Sequence, residues 1–347
     1  MEELFVTYLK ARLPLVERTL ADAAATPLTE GPAAADLTRY LYAPLARFTA
    51  SGGKRVRPVL CLLGAEAVGG RAEDALSCAA AVELFQSAAL IHDDIADEGE
   101  LRRGEPCLHR VEGEGLAINA GDLALTQVFE VVLRDESLSA ERKLRALDEL
   151  VRMERHTLEG QALDLGWVRD GRWDVTSEDY LYMVTSKTAW YSAAIPLYVG
   201  AIVGGGSDEA ARGLLDLGLT AGVAFQLADD LLNLVGDARA QGKDFRSDIT
   251  EGKRTLAVVW ALEHLDAASR EELVALLGSS ATDPTELARA VELIGQGGGI
   301  EHCRTLAGQM AERAKEGATG LAEAGHITVE ARDLLLSMSD FFVERAS

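Results

Sequence analysis

Apolar residues recur along most of the chain at spacings of three and four, with breaks at glycine, proline and short polar stretches. This spacing is typical of α-helices, and the alternation typical of strands is limited to a few residues. The helices that the pattern predicts cover residues 2–24, 35–50, 59–68, 72–98, 115–134, 140–167, 177–203 and 208–236, followed by shorter helices within 254–345. We therefore predict an all-α protein.

The fourth predicted helix ends in an acidic motif, HDDIAD at residues 92–97. At 3.6 residues per turn, Gln86, Asp93 and Asp97 share one stripe of that helix. Asp94 lies about 100° to the side. Carboxylates gathered at the end of an apolar helix repel one another and lose hydration, which a cation relieves, and oxygen ligands without His or Cys suit Mg²⁺. Taken alone, the motif fits either a magnesium site or a solvated helix end.

A similar motif, FQLADDLLN at residues 225–233, lies near the end of the helix predicted over 208–236. The polar residues on one helical face, at spacings i, i+3, i+4, i+7 and i+11, are Gln226, Asp229, Asp230, Asn233 and Asp237. Two such faces in one helical chain are hard to ascribe to solvation alone. We therefore predict that the two motifs converge on one metal site, so that no domain boundary separates them.

Charge and composition exclude several functions. The 347 residues carry 34 basic and 56 acidic side chains, a net charge of −22. Nucleic acids and anionic membrane surfaces attract basic patches, so we expect neither as a partner. We also expect no transmembrane segment, because no charge-free apolar run reaches ~18 residues. The 4 cysteines form no CxxC pair, which is typical of reduced thiols, and we predict a cytoplasmic protein.

Three basic segments contrast with this acidic background. The sequence GGKRVRP at residues 52–58 places cations on a glycine-containing turn before a helix start, which suits a phosphate group. Arg102 and Arg103 follow the first acidic motif after a short loop. Residues 243–255 alternate acids and bases directly after the second motif. Each segment alone also fits a solvated loop, but their placement beside the acidic motifs favours a site for phosphate groups.

A further cation, Lys187, lies next to Thr188 inside the apolar helical stretch 182–199. A buried ammonium group needs an anionic partner, whereas a long lysine side chain near the edge of a core can instead reach solvent. The sequence leaves both arrangements open.

The ordered set of motifs resembles the trans-isoprenyl diphosphate synthases, also called polyprenyl synthetases. The matching segments, within about residues 40–260, are GGKRVRP, Gln86, HDDIAD, RRGEP, GDLAL, EGQALD, Lys187-Thr188, FQLADDLLN and KDFRSDITEGKRT. The resemblance implies an all-α bundle around a deep central cavity, usually in a homodimer. We expect one domain over residues 1–347, with the motifs within about 52–255 and peripheral C-terminal helices over 266–347.

The resemblance also implies an activity, the head-to-tail (1'-4) condensation of isopentenyl diphosphate with an allylic diphosphate to give an all-trans prenyl diphosphate. Mg²⁺, expected as three ions, would stabilise the departing allylic diphosphate. The implied metal ligands are Asp93, Asp94, Asp97, Asp229, Asp230 and Asn233. The implied allylic diphosphate ligands are Arg102, Lys187, Thr188, Gln226, Lys243 and Lys253. The implied isopentenyl diphosphate ligands are Lys54, Arg57, Gln86 and Arg103. The residues expected to act on the leaving group are Asp93, Asp97, Arg102, Lys187, Asp229 and Lys243.

The second motif departs from the family pattern DDxxD, because Asn233 stands at its last position. An amide oxygen can coordinate a metal ion but adds no charge, so we expect weakened metal binding. The stretch also drifts toward the metal motif of class I terpene cyclases, although it lacks their Ser or Thr at this position, and cyclases need no second-substrate segment such as GGKRVRP. The other alternative is a non-catalytic subunit of a heteromeric synthase, a class that tends to lose the motif acids that are intact here.

Product length is expected to depend on the residues one turn before the first motif. Ala88 and Ala89 precede Asp93 by five and four residues, and family members that stop at the farnesyl length usually carry an aromatic residue there. These alanines leave the pocket open, with Phe85 one turn deeper and Phe129 on the next long helix as candidate floors. We expect a C20 product of the geranylgeranyl type, with C15, C25 and longer products left open. Both phenylalanines also fit ordinary core positions.

Overall fold

The computed structural model describes residues 2–236 and 246–344. The α-helices in these ranges are α1 (Glu2–Asp22), α2 (Pro32–Leu37), α3 (Ala43–Ala50), α4 (Val56–Ala67), α5 (Leu76–Ala96), α6 (Leu108–Glu112), α7 (Glu114–Leu133), α8 (Ala140–Arg169), α9 (Ser177–Val184), α10 (Ile195–Gly204), α11 (Asp208–Val235), α12 (Ser247–Thr250), α13 (Leu256–His264), α14 (Ala267–Gly278), α15 (Pro284–Gln296), α16 (Gly299–Glu323) and α17 (Val329–Val343). π-Helical segments Thr38–Tyr42 and Thr185–Ala194 join α2 to α3 and α9 to α10, and a 3₁₀-helix, Ala72–Ala75, precedes α5. The all-α prediction is confirmed.

Polar caps define where several helices begin. The side chains of Ser139 and Ser207 accept hydrogen bonds from backbone N–H groups in the first turns of α8 and α11. Thr176 and Asp179 form a reciprocal capping box at the start of α9. Each such cap stabilises a helix by about 1 kcal/mol, because it satisfies an N–H group that has no partner within the helix. The long helices therefore begin within a few residues of their predicted starts.

One short β-hairpin is present in the described part of the chain. β1 (Leu101–Arg102) pairs antiparallel with β2 (Glu105–Pro106). The turn between them uses Arg103 and Gly104, with φ angles of 57° and 82°, a left-handed region that glycine adopts readily and arginine adopts at a cost. The hairpin follows the first acidic motif directly and returns Arg102 toward the end of α5.

The largest hydrophobic cluster extends from Phe5 on α1 to Phe342 on α17 and includes residues of α4, α5, α10 and α11. A second cluster joins α9 and α11 to α13 through α16, and a third joins α3 and α5 to α7. Helices α5 and α11, which carry the acidic motifs, each belong to two clusters. The motifs are therefore held near the ends of two helices that are anchored in the core.

The C-terminal helices differ from the expected peripheral extension over 266–347. Ala318 on α16 and Met338 on α17 are fully buried in the main cluster. Helix α16 packs along α11, and α17 packs against α1, α11 and α16. The acidic, amphipathic sequence of these helices suggested a surface position, but their small apolar faces complete the core.

Two helical segments are long and apolar enough to cross a membrane by length and composition. One is Ala72–Ala96, of which 67% of the most apolar window is buried inside the fold, and the other is Glu114–Leu133, with 39% buried. Core helices of globular proteins pass the same test, so length and composition are weak evidence for a membrane span.

Candidate active site

The acidic motifs of α5 and α11 meet at one cavity of about 390 Å³. The predicted site residues that line it are Lys54, Arg57, Gln86, Asp93, Arg102, Arg103, Lys187, Thr188, Gln226, Asp229, Asp230, Asn233 and Lys253. The structure thus brings together side chains that lie far apart in the sequence. Two residues singled out from the sequence, Asp237 and Lys243, lie outside the described residues.

Asp93 of the first motif is surrounded by donors and cations. Gln161 Nε2 on α8 donates a hydrogen bond to Asp93 Oδ1 at 3.1 Å, and Arg102 Nη2 lies 3.9 Å from Oδ2. Burial raises the pKa of Asp93, but the positive charges of Lys187, Lys253 and Arg102 outweigh it and hold that pKa below its ordinary value. The carboxylate is therefore charged and electrostatically compensated before any ligand binds.

Asp94 has a different environment from Asp93. It is buried, does not line the cavity, and accepts hydrogen bonds on Oδ1 from Arg102 Nε at 2.8 Å and from Arg102 Nη2. A carboxylate engaged by two N–H groups of one guanidinium fixes the direction of that guanidinium. Asp94 therefore orients Arg102, whose own side chain reaches the cavity.

Lys253 connects the first motif to the short helix α12. Its Nζ lies 3.1 Å from Asp97 Oδ2 and 3.8 Å from Asp248 Oδ1, and it also contacts Glu251. Burial lowers the pKa of Lys253, but the acids Asp248, Asp97 and Glu251 outweigh that effect and raise it well above its ordinary value. The ammonium group is therefore permanently charged at this edge of the cavity.

Lys187 lies in the π-helical segment between α9 and α10, and its Nζ donates a hydrogen bond to Asp164 Oδ2 on α8 at 2.5 Å. Burial lowers its pKa, but Asp164 and Asp93 outweigh this effect and raise it. The segment can approach α8 this closely because Gly160 has no side chain, and a Cβ there would lie 2.3 Å from the backbone nitrogen of Lys187. Of the two arrangements left open by the sequence, the ion-paired one is observed.

The second motif is held by neutral groups. Tyr180 Oη donates a hydrogen bond to Asp230 Oδ2 at 2.5 Å, and Gln226 Nε2 donates one to Oδ1 at 2.7 Å. Burial, and after it the nearby charge of Asp248, raises the pKa of Asp230 to about 7. Within residues 2–236 and 246–344, no ion pair joins Asp229 or Asp230 to a cation.

Asn233, at the end of the second motif, contacts α12. Its Nδ2 donates a hydrogen bond to Ser247 Oγ at 3.2 Å, and its Oδ1 accepts one from the backbone N–H of Asp248 at 3.4 Å. The side chain of Asp248 lines the cavity beside Asp229 and Asp230. Sequence reasoning placed residues 243–255 near the site but assigned no role to Asp248.

A cluster of arginines occupies another part of the cavity wall. Arg103 Nη1 donates a hydrogen bond to Ser51 Oγ at 3.1 Å. Burial lowers the pKa of Arg103, and its neighbours Arg55, Arg102 and Arg57 lower it further. Cations that lower one another's pKa in this way favour an anion as their common partner.

Arg57 and Lys54 contact aromatic residues in the same region. Arg57 Nη2 donates hydrogen bonds to Ser192 Oγ at 2.9 Å and Tyr191 Oη at 3.1 Å, and its guanidinium lies 4.5 Å from the centre of the Tyr191 ring. Lys54 Nζ lies 5.7 Å from the ring centre of Phe341 on α17. The C-terminal helix therefore reaches the cationic part of the site.

Arg55 has a structural role that the sequence did not reveal. Its side chain is fully buried and donates hydrogen bonds to Glu17 at 2.7 Å, Glu83 at 2.6 Å and the Thr49 carbonyl at 2.6 Å. The sequence counted it among three similar cations of one loop. Glu83 stands three residues before Gln86 on the same face of α5, and this spacing could have identified Glu83 as a residue of the site. Other lining residues without a predicted role are Asp164, Tyr180, Tyr191, Asp248 and Phe342.

The residues considered for product length lie in different places. Phe85 is buried, and its ring centre lies 5.6 Å from that of Tyr191, which lines the cavity. Ala88 is fully buried in the third cluster between α5, α3 and α7, and Ala89 is half-buried. Phe129 lines a separate surface groove on α7 with Leu133. The structure does not bring Phe129 to the cavity wall.

The acidic residues of the cavity fit Mg²⁺. The described lining residues include carboxylate oxygens and no His or Cys. In the part of the chain that the structure describes, no three His, Cys, Asp or Glu side chains are grouped so that they could hold a metal ion. Mg²⁺ is usually bound by one or two carboxylates together with substrate phosphates, so Asp93 and Asp229 suit a metal–diphosphate complex.

Residues 38–294 match the family model described as polyprenyl synthetase. The short chain isoprenyl diphosphate synthase of Methanothermobacter thermautotrophicus is 43% identical over 297 residues, 85% of this chain and 87% of that relative. The geranylfarnesyl diphosphate synthase of Natronomonas pharaonis is 38% identical over 88% of this chain and 90% of its own. The crystal structure of geranylgeranyl pyrophosphate synthetase from Pyrococcus horikoshii is similar with a TM-score of 0.86 and 33% identity, covering 99% of this chain and 98% of that one. The chain therefore belongs to the polyprenyl synthetase family and is a prenyltransferase that elongates prenyl chains.

Proposed function

We propose that the protein catalyses the Mg²⁺-dependent head-to-tail (1'-4) condensation of isopentenyl diphosphate with an allylic diphosphate, giving an all-trans prenyl diphosphate. The observation that carries this proposal is the composition of one cavity of about 390 Å³. Both acidic motifs line it together with Lys187 and Lys253, and a separate group of cations, Arg57 and Arg103, lines it as well. Two diphosphates, one of them with metal ions, match this division of charge.

The allylic diphosphate is assigned to the side with the acids. Mg²⁺, when bound, is a Lewis acid that stabilises charge on the departing diphosphate. Lys187, Lys253 and Arg102 are fixed by ion pairs with acids, so their positive charge is oriented before the substrate arrives. Preorganised charge of this kind lowers the barrier because it needs no reorganisation as the leaving group becomes more negative.

Isopentenyl diphosphate is assigned to the arginine side, where Arg57 and Arg103 meet Lys54 and Gln86. Burial and the neighbouring arginines lower the pKa of Arg103, and an anion bound there offsets the repulsion between these cations. The double bond of this substrate attacks the allylic carbon, and a proton then leaves the adjacent carbon for an oxygen of the released diphosphate. None of these four side chains is a general base at neutral pH, which agrees with that route.

The test is incubation of the purified protein with isopentenyl diphosphate and dimethylallyl, geranyl or farnesyl diphosphate, with and without Mg²⁺. Products are dephosphorylated and sized by mass spectrometry, and we expect Mg²⁺-dependent elongation to a discrete linear alcohol. Absence of elongation with every primer would contradict the proposal. Hydrocarbon formed without isopentenyl diphosphate would indicate a terpene cyclase, and activity only after addition of a second chain would indicate a subunit of a heteromeric synthase.

We propose a C20 product as the main one. Its support is the small, half-buried side chain of Ala89 four residues before Asp93, and buried Phe85, which packs against Tyr191 of the cavity wall, is a candidate floor. The substitutions Ala89→Phe and Phe85→Ala test this assignment, since the first is expected to shorten the product and the second to lengthen it. Unchanged product length in both variants would place the length-limiting contact elsewhere.

We also propose a homodimer, held by an apolar stripe on α8. Four exposed side chains recur at intervals of seven along this helix, namely Leu144, Val151, Leu158 and Leu165. A seven-residue apolar repeat on a helix surface is typical of helix–helix association. Light scattering on the wild type and on the double variant Val151→Glu/Leu158→Glu tests the proposal, and a dimer that becomes monomeric is the expected result.

A cytoplasmic location is part of the same proposal. Its support is that Cys61, Cys78, Cys107 and Cys303 are all free and buried, as expected in a reducing compartment.

A further inference from the structure

Asn233 and Asp248 together suggest how the second motif works without its usual last carboxylate. Asn233 stands where the pattern DDxxD has an acid, and its side chain is engaged by Ser247 and by the backbone of Asp248. Its Oδ1, the only atom that could ligate a metal, therefore already accepts a hydrogen bond from a neighbouring helix.

Asp248 brings a carboxylate to the same part of the cavity from another element. It lines the cavity together with Asp229, Asp230 and Asn233, and Lys253 Nζ lies 3.8 Å from its Oδ1. Its backbone N–H contacts Asn233, which stands one helical turn after Asp229 on α11. The acid missing at position 233 thus has a counterpart close by.

The position of α12 is fixed by contacts other than Asn233. Ile249 is almost fully buried in the second hydrophobic cluster, and Thr250 Oγ1 donates a hydrogen bond to the Ala281 carbonyl at 2.9 Å. These contacts hold the last two residues of α12 in place. The amide of Asn233 contacts the first two residues of α12, Ser247 and Asp248, and the Asp248 side chain lines the cavity.

We propose that Asp248 is the third acidic residue of the metal–diphosphate site and that Asn233 is its positioning residue rather than a metal ligand. The inference rests on the proposed function, because it assigns a role within that site. An aspartate at 233 would bring a further negative charge to a cavity wall that Asp248 and Asp230 already line. The asparagine supplies the same hydrogen bonds without that repulsion.

The experiment measures binding of Mn²⁺, as a spectroscopic substitute for Mg²⁺, by electron paramagnetic resonance in the presence and absence of inorganic pyrophosphate. No turnover is needed for this readout. The variants are Asp248→Asn, Asn233→Ala and Asn233→Asp, with Asp216→Asn as the matched control. Asp216 is an exposed acid on the same helix, α11, 13 residues before Asp229 and so about 20 Å away along the axis.

Asp248→Asn is expected to weaken Mn²⁺ binding with pyrophosphate about tenfold, and Asn233→Ala about threefold, whereas Asp216→Asn leaves it unchanged. Asn233→Asp keeps both hydrogen bonds, because the Ser247 hydroxyl can reorient to donate, and it is expected to stay within about threefold of the wild type. Thermal unfolding of each variant checks that the fold is intact.

Two results would overturn the inference: unchanged Mn²⁺ affinity in Asp248→Asn, or a tenfold gain in Asn233→Asp, which would make position 233 the ligand. Failure of the wild type to bind Mn²⁺ with pyrophosphate would instead overturn the proposed function, and with it the inference. The two failures are therefore distinguishable.

Discussion

The two acidic motifs are similar in sequence but differ in how their charge is balanced. Asp93 and Asp97 face Lys187, Lys253 and Arg102, and the cations hold the pKa of Asp93 below its ordinary value. Asp230 is bound by two neutral donors, Tyr180 and Gln226, and its pKa is raised to about 7.

This difference shows that a shared DDxx pattern does not define a shared electrostatic state. In the first motif, cations hold the pKa of Asp93 below its ordinary value before ligands bind, although burial raises the pKa of Asp97 despite its contact with Lys253. In the second motif, no cation among the described residues pairs with Asp229 or Asp230. A divalent cation bound there would therefore offset the free-energy cost of burying their negative charge. We expect the two motifs to respond differently to the same substitutions.

The largest effect is expected from Asp93→Ala, which removes the carboxylate around which the cations of the first motif are gathered. Turnover should fall about a thousandfold or more, because the proposed metal contact is lost together with the negative charge that balances Lys187 and Lys253. Steady-state assays with both diphosphates check this result, with Asp216→Ala as the control. Activity within tenfold of the wild type would remove Asp93 from the proposed mechanism.

Lys187→Met would make the first motif resemble the second, because it removes a cation while keeping a side chain of similar length. We expect kcat to fall about a hundredfold. The carboxylates of Asp93 and Asp164 would lose a partner, so the pKa of Asp93 should rise. Measurement of kcat against pH in the variant tests this, and an unchanged acidic limb would contradict the compensation described for this motif.

Stability of the metal-free protein should change in opposite directions when each motif is neutralised. The unfolded chain loses the Asp230 proton near its ordinary value of 3.8, but the folded chain holds it until about pH 7. Stability therefore falls as pH rises between these values, and Asp230→Asn should be more stable than the wild type at pH 8, by on the order of 2 kcal/mol.

Asp93→Asn should have the opposite effect. The pKa of Asp93 is lowered in the fold, so its contribution to stability is present above its ordinary value and is lost as pH falls through the folded value. The variant should therefore be less stable than the wild type at pH 8. Denaturant unfolding with a metal chelator at pH 4 and pH 8 measures both variants, and changes of the same sign at pH 8 would refute the contrast.

Tyr180→Phe is expected to have the smallest effect and concerns the second motif alone. It removes the hydroxyl that donates to Asp230 but keeps the ring. The Mg²⁺ concentration needed for half-maximal activity should rise roughly fivefold, with little change in the KM for isopentenyl diphosphate. A change in that KM instead would indicate a general disturbance of the cavity.

Much of this architecture could be predicted from the sequence. The helical ranges and the shared faces of the two acidic motifs follow from spacing, because periodicity of 3.6 residues fixes which side chains share a face. The roles of the basic residues were predicted from the resemblance to the family instead. The assignment of Ala88 and Ala89 to the product-length pocket shows what spacing alone cannot predict. Adjacent residues differ by about 100° around a helix, so they face different neighbours, and only the packing of α5 against α3 and α7 decides which.

The missed residues depend on contacts between distant parts of the chain. Phe342 reaches the cavity from the last helix, and Arg55 is buried because Glu17 and Glu83 converge on it. Local spacing places Glu83 on the same face of α5 as Gln86, but it contains no information on which distant residue will pair with it. The same reason hides the link between Asn233 and α12, which spans a segment without helical periodicity.

We expect Lys253 to make metal binding at Asp97 depend on the presence of a diphosphate. A free divalent cation that approaches Asp97 must compete with an ammonium group that is tethered to the protein and so present at high effective concentration. A diphosphate changes this balance, because it offers Lys253 another anion and the metal ion further oxygen ligands. Each ligand therefore raises the affinity of the other by the same factor. We therefore expect Lys253 to weaken the binding of divalent cations to Asp97 in the absence of a diphosphate, and a bound diphosphate to remove that competition.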